Sequence, residues 1–174
     1  MAFPTFASGD VLNASDMNAV GLWLVKTQTV GTGVSSVTVT GAFSSTYDNY
    51  LIVDTGGTMS SDTAYALTLG STATGYYYFL TYGSPLAATV NGDNGNNTTR
   101  FTHAGGASDR NGLIDLQFPY LSRRTDFRSR VRYGTVYGTE IGVLDNATSY
   151  TAFTLTPLAG TMTGGTIRVY GYRN

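Results

Sequence analysis

The 174-residue chain has no cysteine. That excludes disulfides and thiolate metal sites, and leaves the compartment open. Only one histidine, His103, and one glutamate, Glu140, occur. A lone imidazole has no second histidine with which to share a metal. A serine nucleophile of the Gly-x-Ser-x-Gly type has no matching phrase. Charged residues make up 12% of the chain, against about 25% in average proteins. The net charge of −1 and pI near 5.6 argue against holding nucleic acid by bulk charge. No apolar run approaches the roughly 20 residues of a membrane helix, so no membrane insertion is expected. The opening Met1-Ala2-Phe3-Pro4-Thr5-Phe6 lacks the basic and long apolar regions of a secretory signal.

What is present favours strands. There are 22 glycines and 13 tyrosines, with abundant Thr and Ser, a mixture suited to pleated sheets and tight turns. Val37 and Val39 alternate with Thr38 and Thr40, and Tyr65, Leu67 and Leu69 share one face by period two. Ile114, Leu116 and Phe118 alternate with Asp115 and Gln117, and Pro119 ends that run. Phe127 to Tyr137 is expected as one long strand, and Asn91 to Asn97 as a polar loop. About eight to ten strands with turn signals between them indicate an all-β fold, an antiparallel β-sandwich of jelly-roll-like type. Ahead of Gly21, Asn13, Ser15 or Asp16 could cap a short N-terminal helix through Met17. Residues 1–21 are therefore expected as a separate segment, and 22–174 as the β-sandwich domain.

The polar residues give several candidate sites. Asp93, Asp109 and Asp115 are the nearest approach to a carboxyl group pair, but their context is turns and a polar strand face. No catalytic residue, metal ligand or cofactor is expected, and the chain is read as a non-enzyme. Gly31-Thr32-Gly33 and Gly164-Gly165 lack the Lys-Ser/Thr of a phosphate loop. Arg128, Arg130 and Arg132 are spaced two apart, so a strand would place them on one side. With Arg123 and Arg124 they account for five of the ten basic residues. They suit an anionic glycan or phosphate surface, a plain solvent-facing strand, or pairing with Asp115, Asp126 or Asp145 across the sheet or a subunit boundary. Asn91, Asp93, Asn94, Asn96 and Asn97 are candidate contact residues, since amides suit a hydroxyl-rich sugar face. Tyr76, Tyr77, Tyr78 and Tyr82 suit the core, contacts between copies, or sugar stacking.

Four phrases recur in an expected order: FASGDVLNASDMNAV (residues 6–20), TYDNYLIVDTGG (46–57), TLGSTATGYYY (68–78) and GGTIRVYGYRN (164–174). Together they resemble tailed-bacteriophage virion proteins of the small tail-fibre, receptor-binding (minor tail) type. The resemblance implies a β-sandwich body in a homotrimer that mediates host attachment, with a host surface glycan as a possible ligand. It also implies a virion location, after synthesis in the host cytoplasm. It implies docking to another virion protein through the N-terminal segment, with Phe3, Phe6, Asp10, Leu12 and Met17 as docking residues. A head or collar decoration without a receptor role shares the same residues.

Overall fold

The computed structural model describes residues 8, 9, 11, 21–106 and 108–172. The expected short helix, and with it Phe3, Phe6, Asp10, Leu12 and Met17, lies outside the described residues. Within them the chain forms strands β1 (Leu22–Thr29), β2 (Val37–Val39), β3 (Asn49–Thr55), β4 (Thr58–Met59), β5 (Ala64–Leu69), β6 (Tyr76–Ser84) and β7 (Thr89–Thr98). It continues with β8 (Phe101–Gly106), β9 (Gly112–Gln117), β10 (Thr125–Tyr133), β11 (Val136–Leu144), β12 (Phe153–Pro157), β13 (Met162–Thr163) and β14 (Thr166–Tyr172). All pairings are antiparallel, and no helix occurs among the described residues.

An eight-stranded sheet has the order β1-β14-β3-β9-β10-β11-β6-β7, and a four-stranded sheet the order β2-β12-β5-β8. Both contribute to one core. Strand β10 shows why. Thr125, Phe127, Ser129 and Val131 are buried, while Asp126, Arg128 and Arg130 between them are exposed. Successive side chains point to opposite faces, so this spacing turns every apolar residue inward. On the small sheet Leu67, Leu69, Phe101, Phe153 and Leu155 are fully buried. Phe101 stacks on Phe127 with centroids 4.0 Å apart and planes 8° apart, joining the two sheets. Tyr76 meets Phe101 edge-on at 5.0 Å. Such ring pairs contribute about 0.5–1.5 kcal/mol beyond the area they bury.

Three expectations need correction. Residues 91–97 are not a loop: they lie in β7, the outermost strand of the large sheet. That strand is solvated on both faces, so it carries none of the apolar alternation that marks a half-buried strand. Phe127 to Tyr137 is not one strand but parts of two, β10 and β11, which pair through Tyr133↔Val136. Gly134 and Thr135 form the two-residue turn, with Gly134 at φ 52, the positive φ that hairpin turns matching strand twist require. Phe118 does not continue β9: it leaves the sheet with φ 63. Fourteen strands are described, more than expected: 127–137 divides in two, β7 and β8 were not expected as strands, and β4 and β13 have two residues each and carry no periodicity of their own.

Candidate functional site on the outer face of the large sheet

The registers place one residue from each of the eight strands in a single row across the outer face. Leu24, Tyr170 and Leu51 form its first part. Asp115 and Arg128 follow side by side in the middle. Ile141 and Phe79 come next, ahead of Asn94 at the β7 edge. The face is thus charged at its centre and apolar towards the β6–β7 hairpin. Phe79 is 76% exposed and Ile141 58%. Near the hairpin tip, Leu86 and Val90 are also exposed.

The five clustered arginines divide by what they touch. The Arg123 guanidinium lies 4.2 Å over the Phe118 ring. Arg124 donates from Nε to Asp145 Oδ1 at 2.6 Å. Arg132 donates from Nη1 to Asp109 Oδ2 at 2.8 Å. Hydrogen bonds to those carboxylates raise the pKa of both Arg124 and Arg132. Arg128 and Arg130 make no such contact among the described residues. Of the expected partners, Asp145 is engaged, though by Arg124. Asp115 stands opposite Arg128 in register, but accepts instead from the Tyr172 hydroxyl at 2.8 Å. Burial first, then that hydrogen bond and the Asp115 charge, push the Tyr172 phenol up to about 12.

Two adjoining depressions share Asp115 and Arg128. One is bounded by Asn49, Gln117, Asp126, Ile141 and Tyr172. The other extends to Leu113, Arg130 and Thr139. Asn49 Oδ1 is buried and has no hydrogen-bond partner among the described residues. A third depression holds Asn94 and Asn96 with Tyr77, Phe79, Ile141 and Val143. The other asparagines separate from these. Asn97, at φ 55, spends its side-chain oxygen on the Gly75 amide at 2.8 Å. Asp93 accepts from the Asn94 amide at 2.8 Å, and Asn91 is simply exposed.

Two polar clusters lie inside the molecule. Arg110, fully buried, donates from Nε and Nη2 to the two Asp54 oxygens at 2.9 and 2.5 Å. Its Nη1 donates to the Gly164 carbonyl at 2.6 Å. The Tyr65 hydroxyl lies beside the Asp54 carboxylate without the geometry of a hydrogen bond. Burial first, and the Asp54 charge second, raise its pKa well above the ordinary value.

The lone histidine and the lone glutamate meet. Buried Glu140 accepts from the Thr102 amide (3.2 Å), the His103 amide (2.8 Å) and, at 3.0 Å, lies against His103 Nδ1. The histidine is in mid-strand on β8, not at a strand end or in a loop. The Ser129 hydroxyl donates to the His103 carbonyl at 2.5 Å, not to the ring.

The carboxylates considered for catalysis are dispersed. Asp93 on β7 lies four strands from Asp115 on β9, roughly 19 Å at ordinary strand spacing. Among the described residues no group of three potential metal ligands exists. No helix there is long and apolar enough to cross a membrane. No known family model and no curated protein matches the chain.

Asn49, Ile141 and Tyr172 were not among the expected site residues, and Asp126 was expected only as a partner of the arginines. Asp126 shares the period-two stripe of Arg128 and Arg130. Asn49 and Tyr172 reach the site only through the β14–β3–β9 pairing, which local periodicity does not reveal.

Proposed function

We propose that the chain is a non-enzymatic structural protein of a tailed-phage virion, a tail-fibre or tail-tip component that mediates host attachment as a homotrimer. The observation that carries this reading is strand order. Without the inserted strands β6, β7, β10 and β11 and the two-residue ribbon of β4 and β13, one sheet has the order β1-β14-β3-β9 and the other β2-β12-β5-β8. In chain order these strands fall in the first, second, first, second, second, first, second and first sheet. That is the double Greek key of a jelly-roll sandwich, an architecture of viral capsid and lectin domains.

The phage-like phrases fit the same core. Residues 46–57 span β3, residues 164–174 span β14, and these two strands pair from Thr166↔Thr55 to Tyr172↔Asn49. The low charge content and the exposed Phe79, Leu86 and Val90 on the β6–β7 hairpin suit burial between copies. Residues 1–20 would attach the trimer to a neighbouring virion protein, placing the body on the particle surface. Purified protein should adsorb to cells of the phage's host and compete with the phage for them. Absence of competition at saturating protein would remove the receptor role and leave a head or collar decoration. Release of new reducing ends from host polysaccharide would overturn the non-enzymatic reading.

A further inference from the structure

We infer that the centre of the outer sheet face, on β9 and β10, binds an anionic saccharide, with Arg128 and Arg130 as the anion-binding pair. This rests on the host-attachment reading above and names the ligand class and the residues. The first observation is the division of the arginines. Arg123, Arg124 and Arg132 are each occupied by a ring or a carboxylate. Arg128 and Arg130 are exposed, unpaired among the described residues, and adjacent on one face, roughly 7 Å apart by strand geometry. Arg168 stands on the same face, in register with Arg130 through Val53 and Leu113, and adds to the positive field. Two guanidiniums this close repel each other unless an anion lies between them. A carboxylate or phosphate between them accepts charge-assisted hydrogen bonds from both.

The second observation is what surrounds the pair. Asp115, whose register would let it neutralise Arg128, is turned to Tyr172. Asp126 and Gln117, both exposed, line the same depression with their side-chain oxygens. These are acceptors, and an acceptor-rich wall needs a ligand that brings hydroxyl donors. Ile141 and the Tyr172 ring supply an apolar rim for the C–H face of a sugar. A ligand with one anionic group and several hydroxyls satisfies all of these, whereas nucleic acid would set its phosphates against Asp115 and Asp126. The apolar hairpin end of the face, with Phe79, Leu86 and Val90, stays available for contact between copies.

Saturation-transfer NMR on the full-length protein tests this with three probes: a glucuronate-containing disaccharide, a disaccharide carrying one phosphate, and a neutral glucose disaccharide. At least one anionic probe should bind at least tenfold more tightly than the neutral sugar. Which of the two it is separates a carboxylate source from a phosphate source. Arg128→Ala and Arg130→Ala should each weaken that binding at least fivefold. Lys26→Ala, which removes a cation on β1 at the far edge of the sheet, should leave it unchanged. Equal binding of neutral and anionic sugars, no binding of any probe, or the same loss from Lys26→Ala as from Arg128→Ala would overturn the inference. Circular dichroism should show both arginine variants folded, since neither side chain contacts the core. Adsorption to host cells distinguishes the two readings. Intact adsorption by the Arg128→Ala/Arg130→Ala variant sinks this site alone. Saccharide binding without any adsorption by the wild type sinks host attachment and leaves the site.

Discussion

Arg110 is the largest fully buried side chain among the described residues, and its charge is matched by Asp54 in two hydrogen bonds. Such a pair repays its desolvation only while both partners remain. Arg110→Ala leaves the Asp54 carboxylate buried and alone, and should lower stability by about 3–5 kcal/mol. A double variant with apolar residues of similar volume should recover much of that loss. Urea denaturation of the three proteins checks both statements. An Arg110→Ala variant as stable as the wild type would show that water or another group already serves Asp54.

Buried tyrosines give a separate expectation at the same scale. The Tyr76 hydroxyl accepts from the Leu69 amide at 2.9 Å, and burial pushes its pKa up to about 12. Tyr65 is raised in the same direction by burial and the Asp54 charge. The unfolded chain ionises near the ordinary value of 10, so the folded state keeps a proton that the unfolded state gives up. The contribution of these groups to stability is therefore complete below about pH 10 and is lost as pH rises from there towards 12. Tyrosinate absorbance should rise together with unfolding for these residues. Ionisation of Tyr76 near pH 10 in a still-folded protein contradicts the account.

At the scale of elements, β8 shows how an edge of the small sheet is closed. Its pairing with β5 shifts between Tyr65 and Leu67, and at that irregularity the Thr102 and His103 amides both turn to Glu140 on β11. One carboxylate thus caps two amides that the ladder leaves over, and ties the small sheet to the large one. Glu140→Ala should cost roughly 2–6 kcal/mol, since two sheltered donors lose their acceptor at ~1–3 kcal/mol each. Hydrogen exchange should then quicken at Thr102 and His103 before it does at β3 or β14. Unchanged protection at those two amides would show that the carboxylate is not their support.

Strand β7 shows the limit of local pattern. Gly95 is placed by a neighbour rather than by a turn: a Cβ there would stand 2.2 Å from the Tyr78 ring. An edge strand of Asn, Gly and Asp therefore looks like a loop until the partner strand is known. The strands that were legible, β2, β5, β9 and β10, bury at least one face against the core, and their apolar residues or alternation say so. The arginine stripe was legible for the same reason. Which arginines are free was not, because Asp109, Asp145 and Phe118 reach them from loops and strand ends whose positions depend on the whole fold.

For the whole molecule, the two sheets enclose one core, while the large sheet keeps an outer face that is charged in the middle and apolar towards the β6–β7 hairpin. With 12% charged residues, a lone copy has little surface charge to keep it apart from others. The β7 strand adds an outer edge whose only charged residue is Asp93, a poor defence against pairing with other chains. Closed cyclic assembly covers such surfaces and edges together. The most direct test of the proposed homotrimeric body is sedimentation equilibrium of the full chain at micromolar concentration. The account predicts a single species with the mass of three chains, and a stable species at the single-chain mass of 18.5 kDa contradicts it.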